Sequence, residues 1–222
     1  MAVLSKVTIQ RLAVLRALSM WQRGAYGPLR LHKALFFADK NTPAGWRLFT
    51  FKKWRLGQYS DEIAGTLNAL RQAGRITTRY DGPSERMKAD LPKATSRLLE
   101  EFFREYFPAW NENLTRSFHD WAYLDNDTII DRAHDDPSYT RTQRGEVIFS
   151  SFDADLVEFS DLDSQVAEEF SDLVDVGLQQ GLLTRLAVAA ERPAKGEDWR
   201  QLYFGEGPRN PAKAAGSAHG HH

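Results

Sequence analysis

One stretch limits the fold more than any other: SDEIAGTLNALRQAGRITTRYDGPSERMKADL, Ser60 to Leu91. Ser60 is a good N-cap, and Asp61 and Glu62 follow it in the first turn, where the helix dipole favours anions. Ile63, Leu67 and Leu70 supply one apolar stripe, and Gly74 stands where a left-handed C-terminal cap belongs. Ile76, Thr78 and Tyr80 then alternate as a strand does. DGPS is a turn signal, and Met87 to Leu91 can return as a second strand. Helix, glycine, strand, turn, strand is the order of a winged helix.

The same physical signals organise the rest of the chain. Thr8 is expected to cap a first amphipathic helix reaching about Gln22, with Leu12, Leu15, Leu18 and Trp21 or Gln22 on one side. Gly24 to Gly27 breaks it. Pro28 suits the first turn of a second helix, Leu29 to about Lys40, in which Leu31, Ala34, Leu35 and Ala38 face a core and Arg30, Lys33 and Lys40 stay in water. Phe49 and Phe51 alternate as a short strand, and Trp54 leads to a turn at Gly57. Further on, Leu98, Leu99, Phe102, Phe103 and Tyr106 form a helical stripe that Pro108 ends. Another helix is expected over Leu114 to Leu124, with Phe118 and Trp121 inward. DDPSYTRTQRG reads as a loop, and His134, within HDDP just before it, is expected to make loop hydrogen bonds. Leu162, Val166, Phe170, Leu173 or Val174 and Leu178 line an amphipathic helix with an anionic outer face.

The chain has 222 residues and a formal net charge of -1, but the charge is segregated. Residues 1–97 hold 18 Lys and Arg against 6 Asp and Glu, and residues 98–184 hold 5 against 20. Gly145 to Thr184 contains ten acidic residues and no Lys, Arg or His. Such halves either pack against each other or face partners of opposite charge. The expected architecture is therefore mainly α: a helical bundle with a small β-hairpin. Residues 1–97 form a basic, winged-helix-like half and 98–190 an acidic helical half, packed as one domain. Residues 191–222 form a mobile tail with a possible docking segment at Trp199 to Phe204, and its end, GSAHGHH, resembles the remnant of a purification tag.

The absence of cysteine excludes disulfides, thiolate zinc sites and cysteine nucleophiles. No apolar run is long enough for a membrane span, and Lys6, Arg11 and Arg16 interrupt the first apolar segment, so a cytoplasmic protein without a membrane partner is expected. His32, His119 and His134, the histidines outside the tail, lack metal-site spacing, and no phosphate loop, G-x-S-x-G elbow or H-E-x-x-H is present. The expectation is thus no cofactor, no metal and no enzyme.

LHKALFFADK, Leu31 to Lys40, followed by FTFKKWRLGQYSDEI, Phe49 to Ile63, resembles the Panacea domain, also known as the SocA-like antitoxin domain. That family shows a K-L-L-Y-F-A-D-like helix and then an F-x-x-W-x-x-G-P-x-S-x-x-I-like turn into the next helix. Phe51, Trp54, Gly57, Ser60 and Ile63 match the second motif, and AHDDPSY, Ala133 to Tyr139, looks like the family's histidine-containing loop before a G-E-x-I segment, here Gly145 to Ile148. Gln58 departs from the pattern, which usually has proline. The resemblance spans about half the chain and implies a mostly helical protein that neutralises a toxin by binding it, without catalytic residues.

Trp54, Gly57 and Ser60 each also have a sufficient local role: packing, a positive φ and a helix cap. The cations Lys52, Lys53, Arg55, Arg71, Arg75 and Arg79 are harder to explain locally, since they bracket the helix and its wing. The expected partner-binding residues are Lys52, Lys53, Trp54, Arg55, Tyr59, Arg75 and Arg79. The expected partner is a cognate toxin protein, with a second copy of the chain as a further candidate. The alternative is a winged-helix DNA-binding regulator, whose binding to its own promoter would be weak and salt-sensitive.

Overall fold

The computed structural model describes residues 1–21, 27–81, 84–121 and 124–175, and within them the protein is mainly α with small antiparallel sheets. The expectations that fall on Leu178, on Trp199 to Phe204 and on the tag-like end lie outside the described residues.

The chain opens with a strand, β1 (Ala2–Ser5), and α1 (Lys6–Ser19) follows it. The hydroxyl of Ser5, rather than that of Thr8, caps α1 by accepting from the Thr8 N–H at 3.0 Å. Nor is α1 amphipathic. Ile9 through Leu18 is buried almost all round, including Gln10 and Arg16. The Gln10 amide donates to the Leu48 carbonyl, and the Arg16 guanidinium donates to Asn111 Oδ1 at 3.3 Å and lies 3.7 Å from Glu100. A buried polar group must find such partners, and here the partners come from distant segments.

Pro28 begins α2 (Pro28–Lys40), and a single 3-10 turn at Ala44–Trp46 leads to the hairpin β2 (Phe51–Trp54) and β3 (Gly57–Tyr59). Next comes α3 (Asp61–Gln72), capped by Ser60 as expected and ended by Gly74 at φ 68°. The hairpin β4 (Ile76–Asp81) and β5 (Ser84–Ala89) follows in the expected order. Two long helices come next, α4 (Lys93–Tyr106) and α5 (Pro108–Trp121). Pro108 both ends one helix and starts the next, because proline is tolerated where the amide would be unbonded. After these come α6 (Asn126–His134) and, inside the expected loop, the short α7 (Pro137–Arg141), with the carboxylates of Asp125 and Asp136 as N-caps. The described part closes with β6 (Val147–Phe149), β7 (Leu156–Phe159) and the acidic helix α8 (Ser164–Val174).

The strands stitch distant parts of the chain together. β6 pairs antiparallel with β2, giving the order β3-β2-β6, and β7 pairs antiparallel with β1. One apolar cluster takes residues from both charge segments, including Leu12, Leu15, Phe36, Phe51, Phe103, Trp110 and Phe170. Each such side chain contributes about 1.5–3 kcal/mol by leaving water. Asp39 sits inside this core. Its carboxylate accepts from the Leu48 N–H at 2.9 Å, the Phe49 N–H at 2.8 Å and Trp110 Nε1 at 2.8 Å, fixing α2 to the following chain and to α5. Among the described residues no helix is long and apolar enough to cross a membrane.

Candidate interaction surface

The β2–β3 hairpin turns over two residues, Arg55 and Leu56, in the register Lys52↔Tyr59, Lys53↔Gln58 and Trp54↔Gly57. Side chains alternate between faces along a strand. Phe51 accordingly enters the core against Phe36 and Phe149, at centroid separations of 5.3 and 5.5 Å. The opposite face carries Lys52, Trp54 and Tyr59. The Lys52 ammonium lies 5.6 Å from the ring centroids of both Trp54 and Tyr59 and pairs with Asp61. Arg144 covers Trp54 at 5.6 Å. Tyr59 stacks on His32, with centroids 5.0 Å apart and rings 9° from parallel. Trp54 remains 43% exposed despite these neighbours, so it is not a core residue.

A second aromatic pair braces the turn. Tyr139 donates through its hydroxyl to the Trp54 carbonyl at 2.9 Å and stacks on His134 at 4.7 Å, and Lys53 covers the Tyr139 ring at 4.3 Å. His134 thus ends a helix instead of lying in a loop. Burial and the nearby Lys33 charge lower its imidazole below the ordinary value. The loop leading into β6 adds two backbone bonds to the hairpin, Lys53 N–H to the Glu146 carbonyl and Gly145 N–H to the Lys53 carbonyl, each 2.9 Å.

Beneath the hairpin, Lys33 overturns the expectation that it stays in water: it is 1% exposed. Its ammonium donates to the main-chain oxygen and to Oε1 of Gln58, both at 3.1 Å, and Gln58 Nε2 donates to the Ala133 carbonyl at 2.9 Å. This one glutamine joins α2, the hairpin and α6. It stands where the resembled family usually has proline, whose side chain could supply neither bond. Gly57 has φ 103°, and a Cβ there would collide with the Lys33 ammonium and approach Ala133 Cβ to 3.2 Å. The glycine is needed both for its backbone angle and for the space the lysine occupies. Burial without a carboxylate partner pushes the Lys33 amine down to about 7. His32, whose ring nitrogens lie 2.8 Å from the Pro28 carbonyl and 3.3 Å from the Ser60 carbonyl, is pushed down to about 4, again chiefly by burial.

Lys52, Lys53, Trp54, Arg55 and Tyr59 therefore gather at one hairpin, with Lys53 alone turned toward the bracing Tyr139. Arg75 and Arg79 do not join them. They lie beyond the far end of α3, whose 12 residues span about 18 Å. Arg75 is anchored there, its Nε donating to the Leu173 carbonyl at the end of α8 at 2.9 Å, while Arg79 is exposed on β4. Arg71 pairs with Glu85. Sequence reasoning missed Arg144 and Tyr139 as parts of this surface and Lys33 as its buried support. An available signal was the aromatic and cationic content of SYTRTQRG, which a pure loop does not require. Among the described residues no three His, Asp or Glu side chains converge as metal ligands. Comparison of the chain with family models, with curated proteins and with solved structures finds no match.

Proposed function

We propose that this chain is an antitoxin that neutralises a partner toxin protein by direct binding, using the outer face of the β2–β3 hairpin. The observation that carries the reading is Trp54: a half-exposed tryptophan held between cations on a hairpin pinned from below by Lys33 and Gln58. Pre-ordered aromatic anchors of this kind are enriched at protein interfaces and lose little entropy on binding. Lys52, Arg55 and Arg144 around it favour an acidic partner surface. The resemblance to the Panacea domain supplies the class of partner, and the chain alone is expected to catalyse nothing. Co-expression with a toxin encoded beside it should rescue cells. The double reversal Arg55→Glu, Arg144→Glu should abolish rescue while the protein stays soluble and melts normally. Absence of any toxic neighbour, or full rescue by the reversed variant, would overturn the reading.

The second reading, a winged-helix DNA-binding regulator, draws on the order of α3, Gly74, β4 and β5 and on Arg79, Arg86 and Lys88 along the hairpin. Against it, the exposed positions of α3 are Asp61, Gly65, Asn68 and Gln72, with no cation among them. A helix presenting that face to a phosphate backbone gains little charge attraction. A gel shift is expected to be weak and to vanish with salt. Tight, sequence-specific and salt-resistant binding would place the regulator first.

A further inference from the structure

The β1–β7 ribbon pairs Val3 with Glu158 and Ser5 with Leu156. Paired residues point to the same side. Ala2, Leu4 and Phe159 thus turn into the core, and Val3, Ser5, Leu156 and Glu158 share the outer face. Leu156 is 63% exposed and Val3 45%, and the two sit diagonally across the ribbon, close enough to act as one apolar strip.

Among the described residues the ribbon has two strands, and β7 has no partner on its outer edge. Among the described residues, Leu156 to Phe159 make no hydrogen bond other than those to β1. Such edges are usually protected by lysine, proline or a bulge. β7 has none of these, and its one charge is Glu158. Asp153 and Asp155 precede it, and Asp161 and Asp163 follow. The nearby cation, Lys6, is engaged with the Phe152 carbonyl at 2.7 Å and the Phe152 ring.

We propose that the outer edge of β7 accepts an extended, positively charged segment of another protein as a third strand. Its main chain would complete the ladder, its aliphatic side chains would cover Val3 and Leu156, and its Lys or Arg residues would meet Asp155, Glu158 and Asp161. Main-chain pairing supplies the affinity in this mode and the alternating side chains supply the choice of partner. A second copy fits poorly, because β7 against β7 opposes acidic residues with acidic residues. Nucleic acid is repelled by the same charges. The site is separate from the hairpin that carries the proposed toxin contact, and it stands whether or not the partner is a toxin.

The test titrates the full chain with a labelled octapeptide in which every second residue is alternately Val and Lys, with Thr between, so that one face offers both to Leu156 and Glu158, followed by fluorescence anisotropy. Saturable binding is expected, with at least about tenfold loss for Leu156→Ser, which removes the apolar contact without changing charge, and for Asp155→Lys, Glu158→Lys. A peptide of the same sequence N-methylated at alternate residues keeps its charge but cannot form the ladder, and it too should bind at least about tenfold more weakly. Thermal melting checks that the variants fold, and amide exchange of residues 156–159 should slow when the parent peptide is bound. Equal affinity for the methylated peptide, no effect of Leu156→Ser, or no binding by the parent would overturn the proposal. So would a dimer in sedimentation that Leu156→Ser abolishes, since the occupant would then be a second copy. The peptide titration is read without cell rescue, and the rescue variants lie outside this edge, so either test can fail alone.

Discussion

Asp39 and Lys33 lie six residues, or about 9 Å, apart on α2, both fully buried, and among the described residues neither has an ion-pair partner. Their surroundings differ in a way that separates fold from surface. Asp39 is met by three N–H donors from two distant segments, so its region locks α2, the chain at Leu48–Phe49 and α5 together. Lys33 is met by one residue, Gln58, so its region fixes the hairpin and, through that glutamine, the end of α6. Burial pushes the Asp39 carboxyl up to about 8, against hydrogen bonds that favour its ionised form, and the Lys33 amine down to about 7. A charge buried among many fixed partners organises the core, whereas one buried under a single partner organises what lies above it.

The largest expected effect breaks the Asp39 side of this comparison. Asp39→Ala strands three buried donors and should cost roughly 3–5 kcal/mol in urea unfolding, with Trp110 fluorescence changing as its indole loses its acceptor. A loss below 1 kcal/mol would mean that the donors are satisfied elsewhere. Gly57→Ala comes next, at roughly 2–3 kcal/mol, because it combines a positive φ with a collision at the Lys33 ammonium.

Lys33→Met sharpens the comparison through pH. A lysine whose folded value is about 7 and whose ordinary value is 10.5 binds fewer protons folded than unfolded between those limits. Its contribution to stability therefore rises with pH across that window, by at most about 1.4 kcal/mol per unit, and its cost is full below pH 7. Asp39, with a raised value, has the opposite slope, losing stability as pH rises toward 8. Urea midpoints of the parent should thus climb above pH 8, and Lys33→Met should flatten that climb. An unchanged slope would show that Lys33 is not the titrating group.

The smallest effects lie at the surface. Arg75→Ala removes the bond to the Leu173 carbonyl and should lower stability by about 1 kcal/mol without affecting partner binding. Trp54→Ala should do the reverse: under about 1 kcal/mol in stability, since the ring is half exposed, but at least a tenfold loss of partner affinity measured by calorimetry.

Elements whose ends are set by their own residues were legible. Ser60 and Gly74 bound α3, Pro28 starts α2, and DGPS lies between two alternating runs, each through interactions within a few residues. Pro108 ends α4 as expected, but α5 begins there and not at Leu114, since proline equally stops one helix and opens another. The hairpin cluster was partly legible, because Lys52, Trp54 and Tyr59 share a face by strand alternation alone. Arg75 and Arg79 were grouped with them by closeness in sequence, and a helix of about 18 Å separates them.

What the sequence determined by itself, then, is the punctuation: caps, prolines, glycines and periodicity, which act over one to four residues. The tertiary structure decided which strands pair, β1 with β7 and β2 with β6, because those partners lie more than 90 residues apart and a strand of three or four residues carries little pairing information. It also decided the burial of Lys33. On a helical wheel a lysine reads as wet, and only the hairpin folding over it, with Gly57 leaving room and Gln58 offering two oxygens, makes it a buried amine.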